Sequence, residues 1–368
     1  MSESIKKEGE IKRNVIKELE NIGVRILQQI EKNENPYLEV PIRALSNIRY
    51  DEKTKLLKLG EKKAKRYFLN IAHAKKFMQT LIIASKCKEL IKENIHTSLR
   101  DMFYAVKRTL PDSDENTFDE QNESDAVIED LEVMLDLLRE QLHLNADVRG
   151  RVVGKVTILD SGDTIHWDKL GSGGWAIPSN VENIEFKRVE ADFCLVVEKN
   201  AAWERLNEDK FWREHNCILI GAQGQAARGT RRLIKRLSEE FNLPVYVFCD
   251  CDAYGWYIYS VIKTGSMNLA HTSEKLATPN AKFIGLTMSD ILRYDLKKYT
   301  IKATEQDIKR AKELMNYKWF QHPLWQRELK MMIDKKYKAE LEALTSKGFR
   351  FVSENYLPEK IEKQDFLP

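Results

Sequence analysis

Between residues 191 and 250 three apolar runs, ADFCLVVE, CILIGA and PVYVFCD, are separated by two helical patterns, NAAWERLNEDKFWREH and GTRRLIKRLSEEF. No other feature constrains the fold as much. Strands that alternate with helices predict an α/β domain with a mostly parallel sheet. FIGLTMSD reads as one further strand, and residues 304–345 return to helix. At 368 residues the chain is long enough for more than one such domain, because single cores usually stop growing at about 250 to 300 residues.

Side chains of a strand alternate, so in VYVFCDCD the carboxylates of Asp250 and Asp252 lean to one side and the thiols of Cys249 and Cys251 to the other. Asp252 falls at or past the carboxyl end of its strand, where open α/β sheets bind ligands. The run CLVVE places Glu198 at a second such end. If the two strands are parallel neighbours, the three carboxylates converge and repel unless a hard divalent cation neutralises them, and Mg²⁺ is the natural occupant. Each acid alone is better explained as the cap of the helix that follows it. The convergence of three favours the cation.

The five cysteines, at 87, 194, 217, 249 and 251, are odd in number and scattered. They suit buried thiols in a reducing interior rather than a disulfide framework or a zinc site. None of the seven histidines is paired at i, i+4. The loop ILIGAQGQAARGTRRLIKRL carries Gly221, Gly224 and Gly229 together with Arg228, Arg231, Arg232, Lys235 and Arg236. A glycine-rich turn that feeds a basic helix suits phosphates. It also leaves a dinucleotide fold open, although the glycine spacing departs from Gly-x-Gly-x-x-Gly.

In the first part of the chain, residues 1–69 read as a charged amphipathic helix, with Ile11, Val15, Leu19, Ile22, Ile26 and Ile30 on one stripe, followed by a small β segment at 37–59. Residues 70–160 contain three helices and then RGRVVGKVTIL, in which Gly150 and Gly154 bracket the strands of an expected two-stranded wing. That order is a winged helix-turn-helix. Residues 161–368 comprise a linker and the α/β domain, with the Gly/Ser/Asp-rich stretch 159–184 read as a connection. Residues 51–110 hold fifteen Lys/Arg against six Asp/Glu, and residues 111–140 hold twelve acids against one base. A basic block beside an acidic one fits one surface that faces nucleic acid and one that does not. No apolar run reaches the roughly 20 residues of a membrane span, so the chain is expected to be soluble and cytoplasmic.

Ser98 and Asp101 stand at capping-box spacing at the start of SLRDMFYAVKR. On that helix Arg100, Lys107 and Arg108 border Tyr104 at i−4, i+3 and i+4. A phenol, with a pKa of about 10, becomes a nucleophile when neighbouring cations favour phenolate. From this helix alone, packing of Tyr104 against Phe103 is the plainer reading.

SLRDMFYAVKR resembles the Arg-Asp-x-Tyr/Phe-Tyr motif of the family formed by archaeal DNA topoisomerase VI A subunits and the meiotic double-strand-break transesterases. LVVEK, GQAARGTRRLI and DCDAYG resemble, in order, that family's Toprim elements, the last two matching Gly-Tyr-Pro-Asp-x-x-Thr-Arg and Asp-x-Asp-Pro-x-Gly. The match spans about residues 70 to 360. It implies a CAP-like winged-helix domain followed by a Toprim domain. It implies Tyr104 as nucleophile beside Arg100 and Asp101, and Mg²⁺ held by Glu198, Asp250 and Asp252. DNA would meet Lys107, Arg108, Arg151, Lys155, Arg228, Thr230 and Arg231. The implied reaction is Mg²⁺-dependent transesterification that leaves a 5′-phosphotyrosyl double-strand break in duplex DNA.

The family works as a homodimer with an ATPase B subunit; the resulting A2B2 heterotetramer would lie in the cytoplasm at the nucleoid. ATP would lie on the B subunit, since this chain has no P-loop, and residues 1–69 would dock that partner. Two departures from the motifs stand out: Ala253 where proline is usual, and GQAA in place of Gly-Tyr-Pro-Asp. The competing readings are a Toprim nuclease or primase with a structural Tyr104, and a winged-helix regulator whose α/β domain binds a nucleotide.

Overall fold

The computed structural model describes residues 3–145 and 148–368. The chain divides into two compact units, one made of Met1–Ile48 and Leu59–Asp147, the other of Arg49–Lys58 and Val148–Pro368.

The first unit opens with helix α1 (Glu3–Glu31), whose Val15, Leu19, Ile22 and Ile26 form the buried stripe. Ile11 and Ile30, expected on that stripe, are 42% and 52% exposed. Strands β1 (Tyr37–Pro41), β2 (Ile48–Asp51), β3 (Leu56–Leu59) and β4 (Lys63–Tyr67) follow, β1 pairing antiparallel with β4. Helix α2 (Ile71–Glu93) starts where the Asn70 side chain accepts the Ala72 N–H, and stops at Asn94 in the left-handed region. After β5 (Thr97–Ser98) come α3 (Leu99–Val106) and α4 (Gln121–Leu135). The third helix is shorter than its pattern, because Asp136 adopts φ +50 and a 3₁₀ turn at Arg139–Leu142 leads to β6 (Leu144–Asn145). Phe77, Ile83, Cys87, Met102, Phe118 and Leu131 form the core.

A buried carboxylate ties the β ribbon to α4. Asp130 accepts from Arg43 Nε at 3.0 Å and from Arg66 Nη2 at 2.6 Å.

The expected wing does not form. β7 (Arg151–Val153) and β8 (Lys155–Asp160) part at Gly154 and enter different sheets. The reason lies in the run itself: the adjacent residues Val152 and Val153 are at most 1% exposed, so β7 is covered on both faces, whereas a wing leaves one face to water. Nor are residues 159–184 a mere connection, since β9 (Asp163–His166) and β10 (Trp175–Ala176) lie there with Trp167 and Ile177 in the core. β9 and β11 (Glu185–Glu190) flank β8 in a three-stranded sheet.

The main sheet of the second unit runs β10, β7, β13, β12, β14, β15, with β12 (Phe193–Val197), β13 (Cys217–Gly221), β14 (Val245–Phe248) and β15 (Lys282–Gly285) mutually parallel. The crossover after β12 is two helices, α5 (Asn200–Glu208) and α6 (Phe211–Glu214), broken at Lys210 with φ +55. Helices α7 (Arg228–Phe241) and α8 (Ala253–Thr264) follow β13 and β14. The β2–β3 hairpin tip belongs to this unit: Tyr50 stacks obliquely on Trp319 at 5.7 Å and Lys58 pairs with Glu274 at 2.6 Å. Among the described residues no helix is long and apolar enough to cross a membrane.

Replacing Asp130 by Ala leaves Arg66 without its buried counter-charge and Arg43 with Glu129 alone, and breaking such a buried pair costs about 3 to 5 kcal/mol. The urea midpoint for unfolding the first unit should fall accordingly in Asp130→Ala, and an unchanged midpoint would refute the clamp.

Candidate active site

From β12 the chain crosses to β13 on one side and then to β14 on the other, so the crevice of the sheet opens at the carboxyl end of β12. Glu198 is the next residue. Its N–H donates to Phe248 O at 3.0 Å, its carbonyl accepts the Gly224 N–H at 2.9 Å, and its Oε2 accepts the Asp250 N–H at 3.4 Å. Beyond β14 the alternation persists: Cys249 and Cys251 are fully buried while Asp250 and Asp252 face the crevice with Glu198. Burial, and then the charges of Asp250 and Asp252, push the Glu198 carboxyl up to about 7. Burial also raises Asp250, opposed by the Leu341 N–H and Lys199.

Asp252 caps α8 as well, accepting the Gly255 N–H at 2.7 Å. A Cβ on Gly255 would stand 2.6 Å from Asp250 O, so only glycine lets the helix start this close to the acids. Ala253 occupies the first helical position, where a proline's missing N–H costs nothing. Exchange of the two residues there leaves the helix start intact.

Two cations and a distant segment complete the site, and the sequence reading missed them. Lys199 Nζ lies 2.6 Å from Glu342 Oε2, 3.0 Å from Glu340 Oε2 and 3.3 Å from Asp250 Oδ2. Lys338 Nζ is 3.8 Å from Asp252 Oδ2 and 3.0 Å from Asp307 Oδ1. Leu341 N–H donates to Asp250 Oδ1 at 2.7 Å, and Ala339 exchanges backbone hydrogen bonds with Cys251. Only Lys199 had a local signal, as the residue after Glu198.

The donor set is all carboxylate oxygen and crowded enough to hold a proton on Glu198 near neutrality, which fits a hard divalent cation. Among the described residues no three His, Cys, Asp or Glu side chains form a ready ligand shell, and lysines stand on two of the three acids. The thiols are free and buried, with burial pushing Cys87 up to about 12 and the others upward also. None is suited to bind a metal at neutral pH.

The basic loop and helix expected to meet phosphates are largely packed inward. Arg228, Thr230 and Arg231 are at most 5% exposed, and Thr230 Oγ1 donates to Arg149 O at 2.7 Å. Lys235 donates to Ala277 O at 3.1 Å and Arg236 to Ile184 O at 3.0 Å, so α7 turns its cations onto neighbouring carbonyls. Gly229 serves packing: a Cβ there would lie 2.2 Å from Pro178 O. Arg151 covers the Trp203 ring at 5.7 Å and pairs with Glu204, and Lys155 donates to Asn216 at 3.1 Å. Of the five expected DNA contacts, Arg228 and Arg231 are buried, and Thr230, Arg151 and Lys155 are bonded to neighbours in their own unit.

Tyr104, Arg100 and Asp101 lie in the first unit. Ser98 Oγ accepts the Asp101 N–H at 3.0 Å, which starts α3, but Asp101 Oδ2 accepts the Ser98 hydroxyl rather than a backbone N–H. The capping box is therefore only half made. Met102, Phe103 and Val106 anchor the helix, while Tyr104 is 60% exposed and touches Phe103 only at its side, ring to ring at 5.1 Å. Core packing does not account for it. Arg100 and Arg108 are exposed, and Lys107 donates to Asp119 O at 3.0 Å.

Three family models match the chain in series. The first, "Type IIB DNA topoisomerase", covers residues 75–144, and the second, "All-beta domain in DNA topoisomerase VI alpha subunit", covers 149–190. The third, over 193–361, describes the Toprim domain shared by the A subunit of topoisomerase 6 and Spo11. The A subunit of type 2 DNA topoisomerase 6 from Pyrococcus abyssi is 49% identical over 96% of this chain and 95% of its own. That of Sulfurisphaera tokodaii is 43% identical over 95% of each. The DNA topoisomerase 6 A subunit of Arabidopsis thaliana is 37% identical over 95% of this chain and 81% of its own.

Two outcomes follow from this geometry. A carboxyl raised from 4.5 to about 7 on folding stabilises the metal-free protein fully below about pH 4.5 and ceases to do so as pH rises through about 7, a loss of up to about 3 kcal/mol. Thermal melts of metal-free protein should show that fall in the wild type relative to Glu198→Gln, whereas parallel profiles would refute the crowding. Gly229→Ala should lower stability by about 1 to 3 kcal/mol through overpacking against the Pro178 backbone, and an unaltered melting temperature would show that the contact yields.

Proposed function

Because the chain belongs to the A-subunit family of type IIB DNA topoisomerases, we propose that Tyr104 is its nucleophile and that Glu198, Asp250 and Asp252 hold its Mg²⁺. The chain is the DNA-cleaving subunit of a type II DNA topoisomerase, and its Toprim domain is built on the parallel sheet described above. The observation that supports the metal assignment is that Glu198, Asp250 and Asp252 follow the carboxyl ends of adjacent parallel strands at the switch point, close enough for both aspartates to raise the Glu198 carboxyl.

In the reaction the Tyr104 phenolic oxygen attacks a backbone phosphorus and gives up its proton. The bond to the 3′ oxygen breaks, that oxygen leaves as a hydroxyl, and the 5′ phosphate stays on the tyrosine. One phosphate ester replaces another, so the reverse attack by the 3′ hydroxyl reseals the strand without external energy. Arg100, exposed on α3 one turn before Tyr104, favours phenolate and the phosphate under attack, and Arg108, also exposed, follows two residues past the end of that helix. Asp101 holds the first turn of that helix through Ser98. When bound, Mg²⁺ supplies charge neutralisation at the phosphate and its leaving oxygen.

Helices α2 and α3, joined by a short turn, form the helix-turn-helix of a CAP-like DNA-binding region within residues 70–160. Duplex DNA meets the basic surface at α3, where Arg100 lies on the helix and Lys107 and Arg108 follow its end. Two copies join two ATP-binding B subunits in an A2B2 assembly. Residues 1–69 dock the B subunit through α1, where Val24, Leu27 and Ile30 are 47%, 60% and 52% exposed on a long amphipathic helix.

With purified B subunit, Mg²⁺, ATP and supercoiled plasmid, wild-type protein should form a covalent adduct on DNA 5′ ends after denaturant quench. Tyr104→Phe should form none and Asp250→Asn far less. An adduct surviving in Tyr104→Phe would reassign the nucleophile; hydrolytic cleavage surviving there would favour a Toprim nuclease.

A further inference from the structure

Lys199 lies directly after Glu198, and its stem starts at the cap of α5, so the ammonium cannot move far from the crevice. An ammonium has three N–H donors and no acceptor. Here the three carboxylate oxygens around it belong to Glu342, Glu340 and Asp250, at 2.6, 3.0 and 3.3 Å. The first two acids come from the segment that the Leu341 N–H and the Ala339 backbone fasten to Asp250 and Cys251. The longest of the three contacts is the one to the expected metal ligand. Lys338 is a weaker candidate, 3.8 Å from Asp252 and held by Asp307.

We infer that Lys199 is the built-in counter-cation of the carboxylate site, and that a divalent ion gains Asp250 only as this ammonium withdraws onto Glu340 and Glu342. The inference rests on the Mg²⁺ reading above. Without an ion, three acids at one sheet edge repel, and Lys199 offsets part of that repulsion. With an ion, the same ammonium is a like charge a few ångströms away and opposes binding. Glu340 and Glu342 lower that opposition, because two of the three hydrogen bonds survive the withdrawal. Lys199 is thus a positioning residue that sets the affinity of the site.

The test is titration of the full chain with Mg²⁺ alone, followed by calorimetry and by the rise in melting temperature. Lys199→Met should melt lower without metal, yet bind Mg²⁺ about tenfold more tightly, a change equivalent to about 1.4 kcal/mol. A merely structural lysine would lower the melting temperature and leave Kd unchanged or weaker, and either result overturns the inference. Glu342→Gln removes the shortest anchor and leaves Lys199 more firmly on Asp250. It should weaken Mg²⁺ binding in the wild-type background and do so less beside Lys199→Met. If Lys199→Met does not fold, Glu342→Gln decides alone: equal or tighter binding overturns the inference. If the wild type binds no Mg²⁺ and Asp250→Asn titrates identically, the metal reading itself fails; binding by the wild type with no response to Lys199→Met sinks only the role of the lysine.

Discussion

In the sheet of the second unit β12 is hydrogen-bonded on both sides, and its register with β14 continues one residue past β12, where the Glu198 amide meets the Phe248 carbonyl at 3.0 Å. That one backbone contact sets the distance between two acids before any side chain is considered. Crowding of the carboxylates follows from it, and so does the drawing in of Lys199, Lys338 and the segment around Leu341. The glycine at 255 and the turn that returns Gly224 to the Glu198 carbonyl are further conditions of the same closeness.

Much of this edge was legible in the chain. Apolar runs alternating with helical patterns gave the parallel sheet, and period-two alternation separated Cys249 and Cys251 from Asp250 and Asp252 beyond the formal end of the strand. Asp252 shows why one acid was ambiguous alone, since it both caps a helix and faces the crevice. What was not legible comes from far along the chain. Nothing local marks Leu341 as the donor to Asp250, because backbone amides carry no sequence signature and Leu341 lies 91 positions further along the chain.

The misread stretches share a different cause. Lys235 and Arg236 look the same in a sequence whether they face solvent or satisfy carbonyls, as they do here, and nothing local marks Arg228 and Arg231 as buried. RGRVVGKVTIL has the alternation and glycines of a wing, but both faces of β7 are covered, and its two strands enter different sheets. Tyr104 is the converse case. Its helix pattern suggested a packing residue, and its exposure on α3 removes that explanation. The resemblance of short motifs in correct order carried more functional information than any of these local patterns, since each motif alone had a plain structural reading.

The hairpin tip at Arg49–Lys58 belongs to the unit whose remaining residues begin at Val148. During synthesis it leaves the ribosome long before Glu274 and Trp319, the residues that receive Lys58 and Tyr50. Domains generally fold as units while the chain emerges, and the first unit has all its own residues once Asp147 is made. Its folding therefore precedes that of the second and leaves ten residues of that second unit displayed in waiting, with the order of assembly written into the path of the chain.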